Sequence, residues 1–321
     1  MNEKNWNHYL EVTKSALMIV TLLVAGVLLL LSFTTGSWSA SSPVAMRAFS
    51  GGTFEASGVA HVPGTNGVLF VDDGRPDQIF WMELGEDLVQ NGPVKAIKLG
   101  ASVIDLEGIT SDGSRFYIVG SQSKSKGGDL TGLVRFNFHA DGQRVEAVES
   151  VAGLKKFLAD NVAELRGLAN TSYKDGGINV EGIAWDAKGG RLLLGLRSPV
   201  VDGQALVVPL KLQDPQGPFS QDNLKVEGAK AIRLPLAGSG IRSIEYDERR
   251  NAFVVITGAA ANNEKADFKL WEWNGDSSSP TLRETETFDR KLKPEGVTRF
   301  STGKRDFTFI VFDTSGYVAM D

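Results

Sequence analysis

Cysteine is absent from the 321 residues of this chain, which removes disulfides, thiolate metal ligands and a thiol nucleophile together. Histidine is almost as scarce, with three in all and only His61 and His139 beyond residue 8. A serine–histidine–acid triad therefore has few candidates. No basic block occurs: 34 Lys+Arg face 39 Asp+Glu, for a formal net charge of −5 and a pI of about 5.4, so nucleic acid is not an expected partner. A GxxxxGK[ST] phosphate loop is missing, and the run from Gly238 to Ser243, GSGIRS, lacks the third glycine of a dinucleotide fingerprint.

Charge is also missing from residues 15–33, SALMIVTLLVAGVLLLLSF. At ~1.5 Å per residue, a helix of that length crosses a bilayer core of roughly 30 Å. Lys4 and Lys14 precede it. The positive-inside rule then predicts a cytoplasmic N-terminus at 1–14, a transmembrane anchor at 15–33, a linker at 34–45 and an exported domain at 46–321. A cleavable signal is the rival reading, with a small-residue site at Ser37-Trp38-Ser39. The expected location is the periplasmic face of the inner membrane, or a secreted form if the signal is cleaved.

What the exported part does have is repetition. Five stretches share one plan: ASGVAHVPGTNGVLFVDD, DLEGITSDGSRFYIVGS, NVEGIAWDAKGGRLLLGLRS, GIRSIEYDERRNAFVVITG and KPEGVTRFSTGKRDFTFIVFD. Each opens on a polar–small pair, namely Ser57-Gly58, Glu107-Gly108, Glu181-Gly182, Arg242-Ser243 and Glu295-Gly296. A short apolar strand, a polar or glycine-rich turn and a longer apolar strand follow. Alternating third strands (QIFWMEL, LVRFNFH, ALVVPLKL, FKLWEWN, YVAMD) and charged outer strands (KAIKLG, VEAVES, KAIRLPL, LRETETF) complete the units. Four-stranded antiparallel sheets repeated in this way predict an all-β fold, a β-propeller of five blades. The fifth unit lacks an outer strand, and residues 46–54, MRAFSGGTF, are predicted to supply it and close the ring. A count of six holds only if the long 108-to-182 interval conceals a degenerate blade. That interval places Leu154, Phe157, Leu158, Val162 and Leu165 on one helical face, predicting a helix that either plugs the channel or covers a site as a lid.

First strands line the channel of a propeller, and second strands return to the same end. One mouth should therefore gather Ser57, Glu107, Glu181, Arg242 and Glu295 with Asp72, Asp73, Ser121, Arg197 and Asp313. Three readings follow. The carboxylates and arginines can serve as glue between blades, since buried charge needs a partner. Alternatively Glu107, Glu181, Glu295 and Asp313 supply oxygen ligands to a hard cation such as Ca²⁺. In the third reading Arg197 and Arg242, flanked by Asp72 and Asp73, hold a carboxylate or phosphate while Glu181 or Glu295 acts as base. His61 lies four residues past Ser57 and is expected in the core, with a channel-facing position as the alternative.

The phrases NVEGIAWDAKGGRLLLGLRSP, GIRSIEYDERRNAFVVITG and KPEGV resemble a family of bacterial propeller proteins of unknown function, which looks related to propellers with phytase-like esterase activity. Glu107, Glu181, Arg197, Arg242, Glu295 and Asp313 are the positions that match. The resemblance implies a propeller fold and a calcium-assisted ester or phosphoester hydrolase. The chain departs from the phytase pattern in having Ser57 and Arg242 where glutamates stand in other units, and in lacking a dense lysine–carboxylate cluster. The leading expectation is thus a membrane-anchored module that binds a small anionic ligand or a periplasmic protein at the channel mouth. The hydrolase is the alternative.

Overall fold

A computed structural model describes residues 46–123, 131–261, 265–302 and 305–320. The segments expected at 1–14, 15–33 and 34–45 lie outside the described residues. Among those described, no helix is long and apolar enough to cross a membrane. The chain enters on a two-residue strand, β1 (Arg47–Ala48). Blade 1 follows as β2 (Ala56–His61), β3 (Gly67–Asp72), β4 (Gln78–Glu83) and β5 (Lys95–Lys98), and blade 2 as β6 (Leu106–Ser111), β7 (Phe116–Gly120), β8 (Thr131–His139) and β9 (Arg144–Ala152). Blade 3 has β10 (Asn179–Asp186), β11 (Arg191–Ser198) and β12 (Ala205–Leu212), with an outer strand split into β13 (Leu224–Val226) and β14 (Ile232–Leu234). Blade 4 is β15 (Gly240–Asp247), β16 (Ala252–Gly258), β17 (Phe268–Trp273) and β18 (Leu282–Phe288). Blade 5 is β19 (Pro294–Thr302), β20 (Arg305–Phe312) and β21 (Gly316–Met320), and β1 pairs antiparallel with β21 as its fourth strand. The predicted five blades and the closure by the chain's two ends are both present.

Only Arg47 and Ala48 pair with Tyr317 and Gly316, so hydrogen bonds alone are a weak clasp. Aromatic packing reinforces it: Phe49 stacks on Phe70 with centroids 5.0 Å apart and on Tyr317 at 5.7 Å, and Tyr317 continues the stack onto Phe309. Apolar side chains fill the seams between blades 1 and 2, 2 and 3, 3 and 4, and 5 and 1. The seam between blades 4 and 5, where Phe288 meets Phe312, adds ion pairs to its apolar packing. Arg299 reaches Asp247 and Glu272 at 3.0 Å each, and Arg249 of blade 4 pairs with Asp306 of blade 5.

The predicted helix exists as α1 (Leu154–Asn161), followed by a 3-10 turn at Ala163–Leu165. Leu154, Phe157, Leu158, Val162 and Leu165 are all buried, as their spacing requires. They pack in the seam between blades 2 and 3, against β8 and β13, and Glu164 is tied to Ala231 N and Arg233 on the outer edge of blade 3. The helix is thus neither a channel plug nor a lid; its apolar face fills the wedge that opens where two twisted blades diverge.

Candidate functional site

The opening polar residues reach one end of the channel through a shared irregularity. In every first strand the register with the second strand skips a single residue. The skipped residues are Ser57, Glu107, Glu181, Arg242 and Glu295. A β-bulge leaves its extra residue unpaired and re-aims the side chain. In each blade that extra residue is the polar one. Glycine follows four of these bulges because the strands crowd the axis: a Cβ on Gly108 would lie 2.9 Å from Glu181 O and 2.9 Å from Ile183 Cγ2, and one on Gly296 would lie 2.9 Å from Gly58 Cα. Ser243 takes that place in blade 4, where its hydroxyl accepts the Val297 N–H at 3.1 Å. Gly108→Ala is therefore expected to destabilise the fold by ~1–3 kcal/mol through overpacking, measured by urea denaturation.

Arg242 is the hub of the mouth. Its Nη2 donates to Glu295 Oε1, and its Nη1 lies 2.7 Å from Glu181 Oε2. Arg197 Nη1 and Asn179 Nδ2 both donate to Glu181 Oε1 at 2.9 Å, while Arg197 Nε donates to Ala259 O. Glu181, Glu295 and Arg242 are all buried. Burial pushes the Glu295 carboxyl up to about 7 even with Arg242 pulling the other way. Glu107 faces the same cluster, is partly accessible, and has no hydrogen-bond or ion-pair partner among the described residues. Burial first, then repulsion from Glu181, Asp105 and Glu295, holds its carboxyl well above the ordinary range.

The second set of expected residues divides. Asp72 accepts from the Glu55 and Gly74 N–H groups and stands 3.8 Å from Arg75, so it caps backbone. Ser121 donates to Asp105, and Asp313 is paired with Lys293. Asp73 has a buried Oδ1 with no partner, and burial plus repulsion from Glu55, Asp105, Asp72 and Asp313 pushes it up to about 6. Glu55, Asp105, Asn179 and Lys293 were missed by the sequence reading, yet each stands two residues before an opening polar residue, a position visible once the repeats are aligned. Eight carboxyls (Glu55, Asp72, Asp73, Asp105, Glu107, Glu181, Glu295 and Asp313) thus share the mouth with Arg75, Arg197, Arg242 and Lys293. Among the described residues no three acidic or histidine side chains are grouped so as to hold a metal ion. Of the expected Ca²⁺ ligands, Glu181 and Glu295 are engaged by arginine and Asp313 by lysine, so this donor set does not suit Ca²⁺ as it stands.

The opposite end of the channel holds a cavity of about 470 Å³ that the sequence reading did not anticipate. Its floor is Glu245, three residues beyond Arg242 on β15. Thr110 Oγ1 and Thr298 Oγ1 donate to its two oxygens at 3.2 and 3.4 Å, and those hydroxyls accept the backbone N–H groups of Trp185 and His61. One carboxyl so joins all five blades. Burial pushes it up to about 8. His61, expected in the core, lines this cavity with its ring stacked on Phe300 at 4.4 Å.

Solved structures similar to this chain include the PQQ domain of pyranose dehydrogenase from Coprinopsis cinerea, at 12% identity and a TM-score of 0.48, covering 87% of this chain and 97% of that one. The soluble aldose sugar dehydrogenase from Escherichia coli is similar at 12% identity and a TM-score of 0.46, covering 86% and 98%. Hydrazine synthase from Kuenenia stuttgartiensis aligns at 12% identity and a TM-score of 0.36 over 79% of this chain, which spans 61% of that one. No curated protein matches the chain in sequence. The model of the family described as "protein of unknown function (DUF3616)" matches residues 137–315, and the chain belongs to that family.

Proposed function

We propose that this chain is an exported binding module whose acidic channel mouth takes the ammonium group of a small organic ligand. The observation that carries the reading is Glu107, an unpartnered carboxyl kept near Glu181, Glu295 and Asp105, with Asp73 facing a second acidic set on the rim. Repulsion of this kind is relieved by an added cation. The buried, unpartnered Oδ1 of Asp73 and Oδ1 of Asn179 are acceptors that an ammonium donor would match. An anionic ligand would have to displace glutamates from both Arg197 and Arg242. The apolar run at 15–33 supports an inner-membrane anchor with the propeller in the periplasm.

A hydrolase acting on esters or phosphoesters has one observation in its favour. Glu107 is partly accessible and its carboxyl is held well above the ordinary range, both of which suit a general acid. The same engaged arginines weigh against it.

The test is titration calorimetry of the full chain at pH 7.5 with a diamine, Ca²⁺ and inorganic phosphate in separate runs. Saturable diamine binding, weakened at least tenfold by Glu107→Gln, is the expected result. Binding should strengthen from pH 5.5 to 7.5, because the cation must displace protons from Glu107 and Asp73. Preference for phosphate would overturn the reading in favour of the anionic ligand, and preference for Ca²⁺ would overturn it in favour of a metal site.

A further inference from the structure

The cavity at the far end of the channel is remote from the acidic mouth and differs from it in chemistry. Its charged lining residues are balanced. Arg249 is paired with Asp306, and Arg299 with Asp247. An ion of either sign therefore gains little there. Apolar walls come from Pro63, Trp185, Phe300 and Phe307. A volume of about 470 Å³ suits a small organic ligand rather than a lone water cluster.

Two polar atoms of the lining stand out. His61 Nε2 lies 2.9 Å from Thr65 O, and a carbonyl only accepts, so the imidazole proton sits on Nε2 and Nδ1 keeps its lone pair. Burial holds the ring neutral by lowering its proton affinity. Nδ1 has no partner among the described residues. Neither has the indole N–H of Trp185, whose ring is braced flat against Tyr117 with centroids 5.9 Å apart. Two residues that line the cavity thus carry one free acceptor and one free donor, both on stiff aromatic rings held by stacking. A hydroxyl group satisfies both kinds at once, since it donates and accepts. Charged heads satisfy only one.

We infer that this cavity is a second binding site, for a neutral hydroxyl-rich ligand of the saccharide class, recognised through His61 Nδ1 and Trp185 Nε1 against an aromatic wall. The test is calorimetry of the full chain with neutral mono- and disaccharides, alongside a sugar acid and an amino sugar of matching size. His61→Phe and Trp185→Phe keep the stacking on Phe300 and Tyr117, so both variants should fold with wild-type melting temperatures. The expected result is saturable binding of a neutral sugar, weaker by at least tenfold in each variant. Lack of saturable binding by any neutral sugar overturns the inference. So does preference for a charged analogue, or wild-type affinity in both variants.

Discussion

Arg242→Met is expected to lower folding stability by about 3–5 kcal/mol at pH 7.5, the range for removing one partner of a buried ion pair. The loss arises because Glu181 and Glu295, both buried, are left facing each other and Glu107 with only Arg197 and the more distant Lys293 to offset them. The guanidinium carbon also stands over the Phe268 ring, 5.7 Å from its centroid, a contact that methionine gives up while keeping an unbranched apolar stem. The deficit should shrink at pH 5, where Glu295 and Glu107, already raised in the wild type, take up protons without penalty. Adding Glu181→Gln and Glu295→Gln should recover most of the loss at pH 7.5. Urea denaturation of the four proteins at both pH values measures this. An Arg242→Met variant as stable as wild type at pH 7.5 would mean that the mouth is hydrated enough to screen its own carboxyls.

The second large effect is a stability slope from the other end of the channel. The Glu245 carboxyl sits at about 8 in the folded chain against roughly 4.3 when unfolded. The folded state therefore binds more protons than the unfolded state between those values. Its contribution is fully present below pH ~4 and is lost as pH rises through 8, at up to ~1.4 kcal/mol per pH unit. Glu245→Gln removes the titration while keeping a hydrogen-bonding group between Thr110 and Thr298. The variant should be close to wild type at pH 5 and several degrees more heat-stable at pH 8.5. Equal melting temperatures at pH 8.5 would sink the assignment of Glu245 as a neutral acid.

Much of this was legible in the sequence for a physical reason. Period-2 strands and glycine-rich turns are local signals, and five copies of them in one order leave few architectures open. The opening pairs could be placed at one mouth because strand direction alone sets which end a residue occupies. Local pattern could not show that each polar residue is the extra residue of a bulge, because a bulge is defined by pairing with another strand. Pairing of these carboxylates with Arg197 and Arg242 was one of the readings, but which meets which was not legible: Arg242 and Glu295 are 53 residues apart and meet only after blades 4 and 5 close on each other. Glu245 was overlooked as one acid within an apolar strand. Alignment of the repeats sets it level with Ala60, Thr110, Ala184 and Thr298, the small residues that leave room for it on the axis. The split of blade 3's outer strand into β13 and β14 escaped because Leu224–Val226 is too short to carry a period.

The charged seam between blades 4 and 5 gives the ring a joint unlike the others. All five seams bury apolar side chains, but this one adds the exposed pair of Arg249 with Asp306, and exposed ion pairs weaken as ionic strength rises. Burial works to raise Glu272, and hydrogen bonds from Arg283 and Arg299 outweigh it and hold it at about 2, so this joint also loosens as pH falls from about 4.5 towards 2. Salt and acid therefore act on the circle at one joint more than at the others, the one that Arg299 and Arg249 fasten.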